Sequence, residues 1–158
     1  MVKLEFFKSE EHLSGVSYSL DESQLRFTAS ADQALQRIRE RDDNHAFPII
    51  ILEDNIPAGF FVLDFGNDKF ELTDNENAVL VRSLSVNPVM QGKGIGKIAM
   101  MQVDDFIREN FKQCDEIVLA VNQENDSAYH IYLKAGYIYD GKTRMGRNGP
   151  QYLMYKKL

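Results

Sequence analysis

The sequence predicts an α/β protein whose strands form a mixed sheet within one domain spanning residues 1–158. Short apolar runs typical of strands are interleaved with stretches of helical periodicity along the chain. Residues 78–121 have the pattern of a strand, a helix and a strand, and such a unit places its two strands in parallel. The length of 158 residues is that of one domain, and it allows a core that needs no disulfide or metal to fold.

The first half of the chain contains five predicted elements. Apolar residues alternate at its start as in a strand, and the helical spacing of Leu13, Val16 and Leu20 then indicates a weak helix. Ser30 and Gln33 fit a capping box, which opens the clearest early helix. Two apolar runs around a polar turn predict a hairpin. The predicted elements are a strand at 2–7, a helix from Ser9, a helix at 31–41, and strands at 47–52 and 58–65.

The second half contains six more predicted elements. Asn87 and Pro88 end its first strand, because the residue before proline avoids the helical region and proline donates no ladder hydrogen bond. Gly136 follows the second helix, where glycine commonly ends a helix. The acidic stretch 64–77 is predicted to be a loop, with a short strand around 70–72 as the alternative. The six elements are a strand at 78–86, a helix to about Asn110, a strand at 117–121, a helix at 125–135, and strands at 137–142 and 151–156 around a turn at 147–150. The inner face of the first of these helices is predicted to consist of Ile95, Ile98, Ala99, Val103, Phe106 and Ile107.

Composition and charge exclude several classes of protein. The net charge of −6 argues against a generic nucleic-acid binder, which is basic. Cys114 is the one cysteine, so no internal disulfide forms, and this suits a reducing cytosol and predicts a cytoplasmic protein. No apolar run approaches the roughly 18 residues of a membrane span, and no signal-peptide pattern opens the chain.

The charge is distributed unevenly along the chain. Residues 1–77 hold 16 acids and 7 bases, whereas residues 78–158 hold 8 acids and 11 bases. This split suggests an anionic ligand on the C-terminal half and a cationic ligand facing the N-terminal half. A solvated surface of uneven composition is the alternative interpretation.

A glycine-rich loop, Gln91-Gly92-Lys93-Gly94-Ile95-Gly96, connects the strand at 78–86 to the long helix. Glycine permits positive φ and lets backbone N–H groups approach a ligand, and a helix N-terminus adds unpaired N–H groups and the positive end of a dipole. Such a loop is suited to a phosphate or a pyrophosphate. It fits neither the Walker nor the Rossmann pattern, because both require glycine at the position of Lys97. A tight turn that binds nothing is the alternative for this loop taken alone.

The wider stretch from Val86 resembles the acetyl-CoA-binding signature of the GNAT superfamily of N-acetyltransferases. That signature is a strand ending in V-x-P, followed by Q/R-x-x-G-x-G/A at the start of a helix. Its fixed positions are occupied here by Gln91, Gly94 and Gly96.

A second pattern of the same superfamily follows about 30 residues later. It consists of an Asn that opens a short helix after the next strand, a Tyr seven residues on, and a Gly-aromatic ending. It is matched by Asn125, Ala128, Tyr132, Gly136 and Tyr137. The resemblance implies a mixed, mostly antiparallel central sheet of about six to seven strands flanked by about four helices.

The resemblance also implies roles for individual residues. The backbone of Leu84, Ser85 and Val86 would meet the pantetheine arm of acetyl-CoA, and Asn125 would contact the same arm. The pyrophosphate would lie on Gln91, Gly92, Lys93, Gly94, Ile95 and Gly96. Tyr132 would act as the general acid that protonates the departing CoA thiolate, since a phenol with a pKa near 10 is protonated at neutral pH. An aromatic core residue on a short helix is the alternative for Tyr132.

The sequence departs from the family at the general base. Some members carry a Glu five residues ahead of the Asn, but that position is Ala120, which cannot titrate. Three acids before the long strand are candidates for a proton relay through water, with an acidic solvated loop as the alternative; they are Glu71, Asp74 and Glu76. Asn122 and Glu124 are weaker candidates.

The remaining reactive and charged residues predict no further site. The three histidines, His12, His45 and His130, have no metal-ligand spacing, so no metal is expected. Cys114 has no histidine partner nearby in sequence. A basic cluster is interpreted as surface charge around the last hairpin, with the neighbourhood of the CoA 3′-phosphate or an interface as alternatives; it consists of Arg144, Arg147, Lys156 and Lys157.

Together these observations predict an N-acetyltransferase that moves the acetyl group of acetyl-CoA to a primary amine by direct attack in a ternary complex. The acidic N-terminal half favours a small cationic acceptor such as a polyamine, an amino sugar or an amino-acid derivative. A protein N-terminal or lysine acetyltransferase is one alternative, and a non-catalytic acyl-CoA-binding regulatory module is another. No nucleic-acid or membrane partner is expected, and a homodimer is left open because superfamily members are often dimers.

Overall fold

One seven-stranded sheet, in the order β1-β2-β3-β4-β5-β7-β6, organises the protein. The computed structural model describes the backbone of residues 1–158 and every side chain except that of Ser23. The strands are β1 (Val2–Phe6), β2 (Ala46–Glu53), β3 (Ile56–Asp64), β4 (Ala78–Val86), β5 (Glu116–Asn122), β6 (Ile138–Gly146) and β7 (Gly149–Lys157). The α-helices are α1 (Ser9–Val16), α2 (Glu22–Leu25), α3 (Ala31–Arg41), α4 (Ile95–Asn110) and α5 (Asp126–Lys134).

The sheet is mixed and mostly antiparallel, as the sequence predicts. Every pair of neighbouring strands is antiparallel except β4 and β5. Helices α4 and α5 pack on one face of the sheet and form the larger core with the inward residues of β3, β4 and β5. Helices α1 and α3 cover the other face at β2 and β3. None of the described helices has the length and hydropathy that crossing a membrane requires.

Helices α1, α3 and α5 begin within one residue of the predicted positions, whereas α2 was not predicted, and the inner faces of α1 and α4 differ from the prediction. Ser30 and Gln33 form the predicted capping box of α3, with both reciprocal hydrogen bonds present. In α4, Met100 is buried, whereas Ile98 is 39% exposed. In α1, the buried residues are His12 and Val16 rather than Leu13, because the helix is short and its packed stripe is only one turn long.

The acidic stretch before β4 contains a 3-10 helix at Asn67–Glu71 and not the alternative strand. Its Lys69 is 4% exposed, and the Nζ atom donates to the carbonyl oxygens of Glu76 (2.6 Å) and Ala78 (3.0 Å). The lysine therefore satisfies backbone carbonyls at the approach to β4.

The last hairpin is longer than predicted. Strands β6 and β7 continue to Gly146 and Gly149, so the turn shrinks to two residues. Pro150, which the sequence places in the turn, instead lies in β7 opposite Met145. Proline is tolerated near the first residue of a strand, and its carbonyl accepts a hydrogen bond from the N–H of Gln123 (2.9 Å).

Candidate active site

A gap between β4 and β5 is the central feature of the site. Their parallel ladder ends at Leu80 opposite Val118. Beyond this point β4 pairs with β3, while β5 pairs with β7 as far as Asn122. At roughly 3.3 Å per residue, the stretch of β4 that borders the gap is about 20 Å long. Backbone groups on such a free edge are able to bind an extended ligand as an added strand would.

A β-bulge shapes the part of β4 that borders this gap. Val62 pairs with Arg82 and Phe60 pairs with Ser85, so Ser83 and Leu84 together oppose one residue of β3. Ser83 has a φ of 60°, which is left-handed and uncommon for a non-glycine residue. The bulge removes Ser83 and Leu84 from the β3 ladder, and it leaves their backbone groups available to a ligand.

The glycine loop opens α4 with two left-handed residues. Gly92 has a φ of 81° and Gly94 a φ of 76°, and a Cβ atom added to either would meet nothing within 4 Å. No side chain caps α4, and its first intrahelical bond runs from the N–H of Ile98 to the carbonyl of Gly94 (3.0 Å). The earlier N–H groups of the helix thus have no helical acceptor, as an anion site requires, and Lys93 beside them is exposed.

The loop is joined closely to β4 and α5. The Nε2 atom of Gln91 donates to the carbonyl of Val86 (3.2 Å). A Cβ atom on Gly96 would lie 3.6 Å from Cγ2 of Val86 and 3.9 Å from Cδ1 of Ile131. The side chain of Ile95 is buried in the core, so only its backbone is available to a ligand. Gly96 therefore lies where the two sequence motifs meet in space.

Tyr132 lies on α5 within the larger core. Its side chain is 8% exposed, and its ring meets that of Tyr137 edge to face at 5.7 Å between centroids. The Tyr132 hydroxyl has no hydrogen-bond partner among the described residues. Burial raises the pKa of Tyr132 above its ordinary value, so the phenol carries its proton at neutral pH. Tyr132 is thus an aromatic core residue whose hydroxyl, without a partner in the described chain, is able to donate its proton.

Asn125 and Gly136 fix the two ends of α5. The Oδ1 atom of Asn125 caps the helix by accepting from the N–H of Ala128 (3.3 Å). At the other end, Gly136 has a φ of 95°, and the N–H of Tyr137 donates to the carbonyl of Tyr132 (3.0 Å). Asn125 therefore has a structural task, and its predicted contact with the pantetheine arm stays a prediction.

Two side chains that sequence reasoning missed hold the N-terminal segment against the end of β4. The hydroxyl of Tyr18 lies 2.7 Å from Oγ of Ser85 and 3.2 Å from its carbonyl oxygen. Burial raises the pKa of Tyr18 to about 12. The Nε2 atom of Gln24 donates weakly to the carbonyl of Val86 (3.5 Å), while its Oε1 atom is buried without a partner among the described residues. No local pattern reveals these contacts, because they join residues more than 60 positions apart.

A chain of polar contacts crosses the open end of the gap. Arg26 forms an ion pair with Glu124 after β5. Its backbone carbonyl accepts a hydrogen bond from Nδ2 of Asn148 (2.6 Å), and the carbonyl of Asn148 accepts one from Nδ2 of Asn122 (3.0 Å). Glu124 and Asn122, both weak candidates for the general base, are thus engaged in holding the end of α2 to the last hairpin.

Two of the three acids considered for proton relay lie on the open face of the sheet, which is the face opposite α4 and α5 at β5 and β7. These two acids, Glu71 and Asp74, line a cavity of about 610 Å³ that reaches Val118, where β4 and β5 begin to diverge. Glu71 also accepts a hydrogen bond from Nη1 of Arg144 (2.6 Å). Glu76 is exposed and does not line this cavity.

An ion cluster of Asp64, Arg41 and Arg82 lies beside the bulge in β4. Asp64 is 0% exposed and accepts hydrogen bonds from Nη1 of Arg41 (2.6 Å), Nη1 of Arg82 (3.2 Å) and the N–H of Gly66 (2.8 Å). Burial alone raises the pKa of Asp64, but the hydrogen bonds from Arg41 and Gly66 outweigh it and hold the pKa below its usual value. Because Arg82 immediately precedes Ser83, the cluster fixes the backbone on one side of the bulge.

Not every residue of the predicted basic surface cluster lies at the surface. Lys156 has a side chain that is 20% exposed, and it forms an ion pair with Asp104 at 2.5 Å. Lys157, on the other face of β7, forms one with Glu116 at 2.7 Å. Interpreting Lys156 as surface charge was therefore wrong, because alternation along β7 turns it towards α4 and α5. No group of three or more His, Cys, Asp or Glu side chains in the described chain is arranged to hold a metal ion.

The chain is similar to known proteins over nearly its whole length. The model of the acetyltransferase (GNAT) family matches residues 15–137. An uncharacterized N-acetyltransferase, YbbJ of Bacillus subtilis (strain 168), is 35% identical over 155 residues, which cover 98% of this chain and 96% of that protein.

Solved structures share the fold at low sequence identity. The aminoglycoside acetyltransferase AAC(6')-Ib in complex with coenzyme A and kanamycin superposes with a TM-score of 0.79 at 16% identity, over 99% of this chain and 95% of the other. The spermidine N-acetyltransferase from Vibrio cholerae in complex with CoA and spermine gives a TM-score of 0.71 at 17% identity, over 99% and 95%. The family match and the 35% identical relative, together with a fold that agrees with these structures, show that the chain belongs to the GNAT acetyltransferase family and is an acyltransferase.

Proposed function

We propose that this protein transfers the acetyl group of acetyl-CoA to a primary amine of a small cationic acceptor, by direct attack within a ternary complex. The observation that carries the proposal is the gap between β4 and β5, which begins at Leu80 and Val118 and ends beside the glycine loop. Two proteins of similar fold support the choice of ligands, since they were solved with CoA and with kanamycin or spermine.

The free edge of β4 and the glycine loop form the proposed binding site for acetyl-CoA. The backbone of Leu84, Ser85 and Val86 borders the gap and suits the amide groups of a pantetheine arm. Gly92 and Gly94, being open to solvent and left-handed, allow a pyrophosphate to approach the N–H groups at the start of α4. The observed geometry therefore fits an extended ligand whose anionic end lies on the helix.

The reaction requires a group that stabilises the oxyanion and one that protonates the leaving thiolate. We propose that a backbone N–H near Leu84 or Ser85, at the bulge, holds the oxyanion; losing one such donor typically slows an enzyme by about a hundredfold or more. Tyr132 supplies the proton, because its hydroxyl is protonated at neutral pH and has no other partner among the described residues.

The acceptor side of the site is proposed to be the open face of the sheet. Ala120 lies there opposite Leu153 and carries no titratable group, so the ammonium of the acceptor must lose its proton to water. Glu71 and Asp74 line the cavity that leads to the start of the gap, and they are the proposed acceptors at the far end of that water relay.

The proposal is tested by measuring thiol release from acetyl-CoA with a panel of polyamines, amino sugars, amino-acid amides, peptides and protein N-termini. We expect small polycationic amines to accelerate release most. Tyr132→Phe should lower kcat by about a hundredfold. Tyr129→Phe is the matched control, since Tyr129 lies one turn earlier on α5 and its ring packs at a tilt against that of Tyr152 (4.9 Å between centroids).

Three outcomes contradict parts of the proposal. If peptides alone are acetylated, the acceptor is a protein and the small-amine assignment fails. If acetyl-CoA binds but no amine accelerates thiol release, the protein is a regulatory module without catalysis. A Tyr132→Phe variant as active as the Tyr129→Phe control removes Tyr132 from its role as general acid.

A further inference from the structure

A lysine on β7 is bound to the C-terminal end of α5. The Nζ atom of Lys156 donates to the carbonyl oxygen of Ala135 at 2.6 Å and lies 2.5 Å from Oδ2 of Asp104 on α4. The side chains of Lys156 and Asp104 are 20% and 13% exposed. One ammonium group thus joins β7, α4 and the end of α5.

The position of this ammonium matches the electrostatics of a helix end. The last carbonyls of a helix have no intrahelical donors and carry the negative end of the dipole, so a cation there is stabilising. The carbonyl of Ala135 belongs to this set. At Gly136, an added Cβ atom would lie 3.2 Å from both Cε and Nζ of Lys156, so the lysine occupies the space that a side chain would take.

The same helical turn carries Tyr132. Its carbonyl oxygen accepts hydrogen bonds from the N–H groups of Ala135 (3.1 Å) and Tyr137 (3.0 Å). The ring of Tyr137 packs against that of Tyr132, and Nζ of Lys156 lies 5.8 Å from the centroid of the Tyr137 ring. Lys156 therefore contacts both the backbone turn and the aromatic neighbour that orient Tyr132.

We propose that Lys156, held in place by Asp104, is a positioning residue that fixes the last turn of α5 and so aims the hydroxyl of Tyr132. The inference rests on the role of Tyr132 given above. The titratable groups that face the ammonium of Lys156 are Asp104 and Tyr137, and the ring of Tyr137 packs on that of Tyr132. The hydroxyl of Tyr137 and Oδ1 of Asp104 are buried without partners in the described chain, so without Lys156 the Asp104 carboxylate has no charge partner near the Tyr137 phenol.

The test compares Lys156→Met with Lys134→Met. Lys134 is an exposed cation in the last turn of α5, two residues from Tyr132, and it has no hydrogen bond or ion pair among the described residues. After circular dichroism confirms that both variants fold, we expect Lys156→Met to lower kcat at least tenfold, with the KM for acetyl-CoA within twofold of the parent. Lys134→Met removes the same charge from the same helix end without removing a contact, and it should keep kcat within twofold.

A double-mutant cycle separates this inference from the role of Tyr132 itself. If Lys156 acts through Tyr132, Lys156→Met added to Tyr132→Phe lowers kcat no further. Asp104→Asn serves as a second variant should Lys156→Met not fold, with the same expected loss and the same non-additivity. Lys156→Arg keeps the charge and should restore most of kcat.

The outcomes distinguish the two claims. If Tyr132→Phe keeps full activity, the general-acid assignment fails. If Tyr132→Phe is impaired while Lys156→Met retains the kcat of the parent, the positioning role is overturned. It is also overturned if the two losses multiply in the double variant, since a purely structural role would produce that result.

Discussion

Alanine substitutions at two glycines of the same loop should have opposite effects on stability. Gly94 precedes α4 with a φ of 76°, whereas Gly96 lies inside the helix. Both changes add one methyl group, only two residues apart, so they form a matched pair. We expect Gly94→Ala to destabilise the protein and to weaken binding of CoA, and we expect Gly96→Ala to do neither.

The magnitudes follow from the geometry at each position. An alanine forced into the left-handed region costs about 1–2 kcal/mol, and no steric term is added at Gly94 because nothing lies within 4 Å of the new Cβ atom. At Gly96 the new Cβ atom makes ordinary contacts at 3.6 and 3.9 Å with Val86 and Ile131. Replacing glycine by alanine within a helix contributes about 0.8–1 kcal/mol of stability.

Two measurements check this prediction. Urea unfolding followed by circular dichroism gives the free energies of unfolding, which should differ between the two variants by about 2 kcal/mol. Calorimetric titration with CoA gives the dissociation constants. The methyl group that Gly94→Ala adds would project into the open side of the loop, where the ligand is proposed to lie, so the dissociation constant of that variant should increase at least tenfold.

The reasoning is refuted by either of two results. If Gly94→Ala unfolds at the same urea concentration as the parent, the left-handed conformation at this position is not required. If Gly96→Ala weakens CoA binding as much as Gly94→Ala does, the ligand does not lie on the open side of the loop, and the proposed pyrophosphate site is wrong.

Two further predictions concern the supports of β4. Tyr18→Phe removes the contacts with Ser85 and should lower the free energy of unfolding by about 1 kcal/mol. Because Ser85 belongs to the proposed pantetheine site, the variant should raise the KM for acetyl-CoA more than that for the amine, and equal changes in the two KM values would contradict this. Asp64→Asn leaves Arg41 and Arg82 without their buried partner, but both are partly exposed and keep ion pairs with Asp43 and Asp68, so the variant should destabilise by about 1–2 kcal/mol. Because the folded pKa of Asp64 is lowered, its contribution is fully present above the unfolded pKa of about 4 and is lost as the pH falls through the folded value. The variant should therefore show a weaker dependence of stability on pH below 4 than the parent, and identical slopes would count against the ion cluster.

Most elements of the fold follow from local patterns. The capping box of α3, the break after β4 at Asn87 and Pro88, and the glycine that ends α5 all act over a few residues. Such signals are visible in the sequence because the atoms that interact are close along the chain. The 3-10 helix in the acidic stretch was missed, since the contacts of Lys69 with later carbonyls leave no periodic pattern.

Only part of the candidate site could be identified from the sequence. The glycine loop and Tyr132 lie in recognisable motifs, whereas Tyr18, Gln24 and Lys156 carry no motif. Their importance arises from pairings across 20 to 70 positions, which depend on the strand order and on the alternation of side chains across β7. Neither can be inferred from composition.

The charge split along the sequence also has a different meaning in the folded protein. Several acids of the acidic half are neutralised by bases of the basic half: Asp64 by Arg82, and Glu71 by Arg144. In the opposite sense, Glu124 of the basic half is neutralised by Arg26. The excess of acids over residues 1–77 therefore does not translate into a uniformly acidic surface.

The case for a cationic acceptor consequently depends on where unneutralised acids remain. Asp74 and Asp140 line the cavity on the open face and have no ion pair among the described residues, and neither has Lys142, whereas Glu71 and Glu116 in the same cavity are paired with Arg144 and Lys157. The unpaired side chains of this cavity, two carboxylates and one ammonium, leave a net negative charge close to the point where β4 and β5 diverge, and such a charge would favour a cation there. This local arrangement, and not the net charge of the N-terminal half, is the physical reason to expect a small polycationic amine.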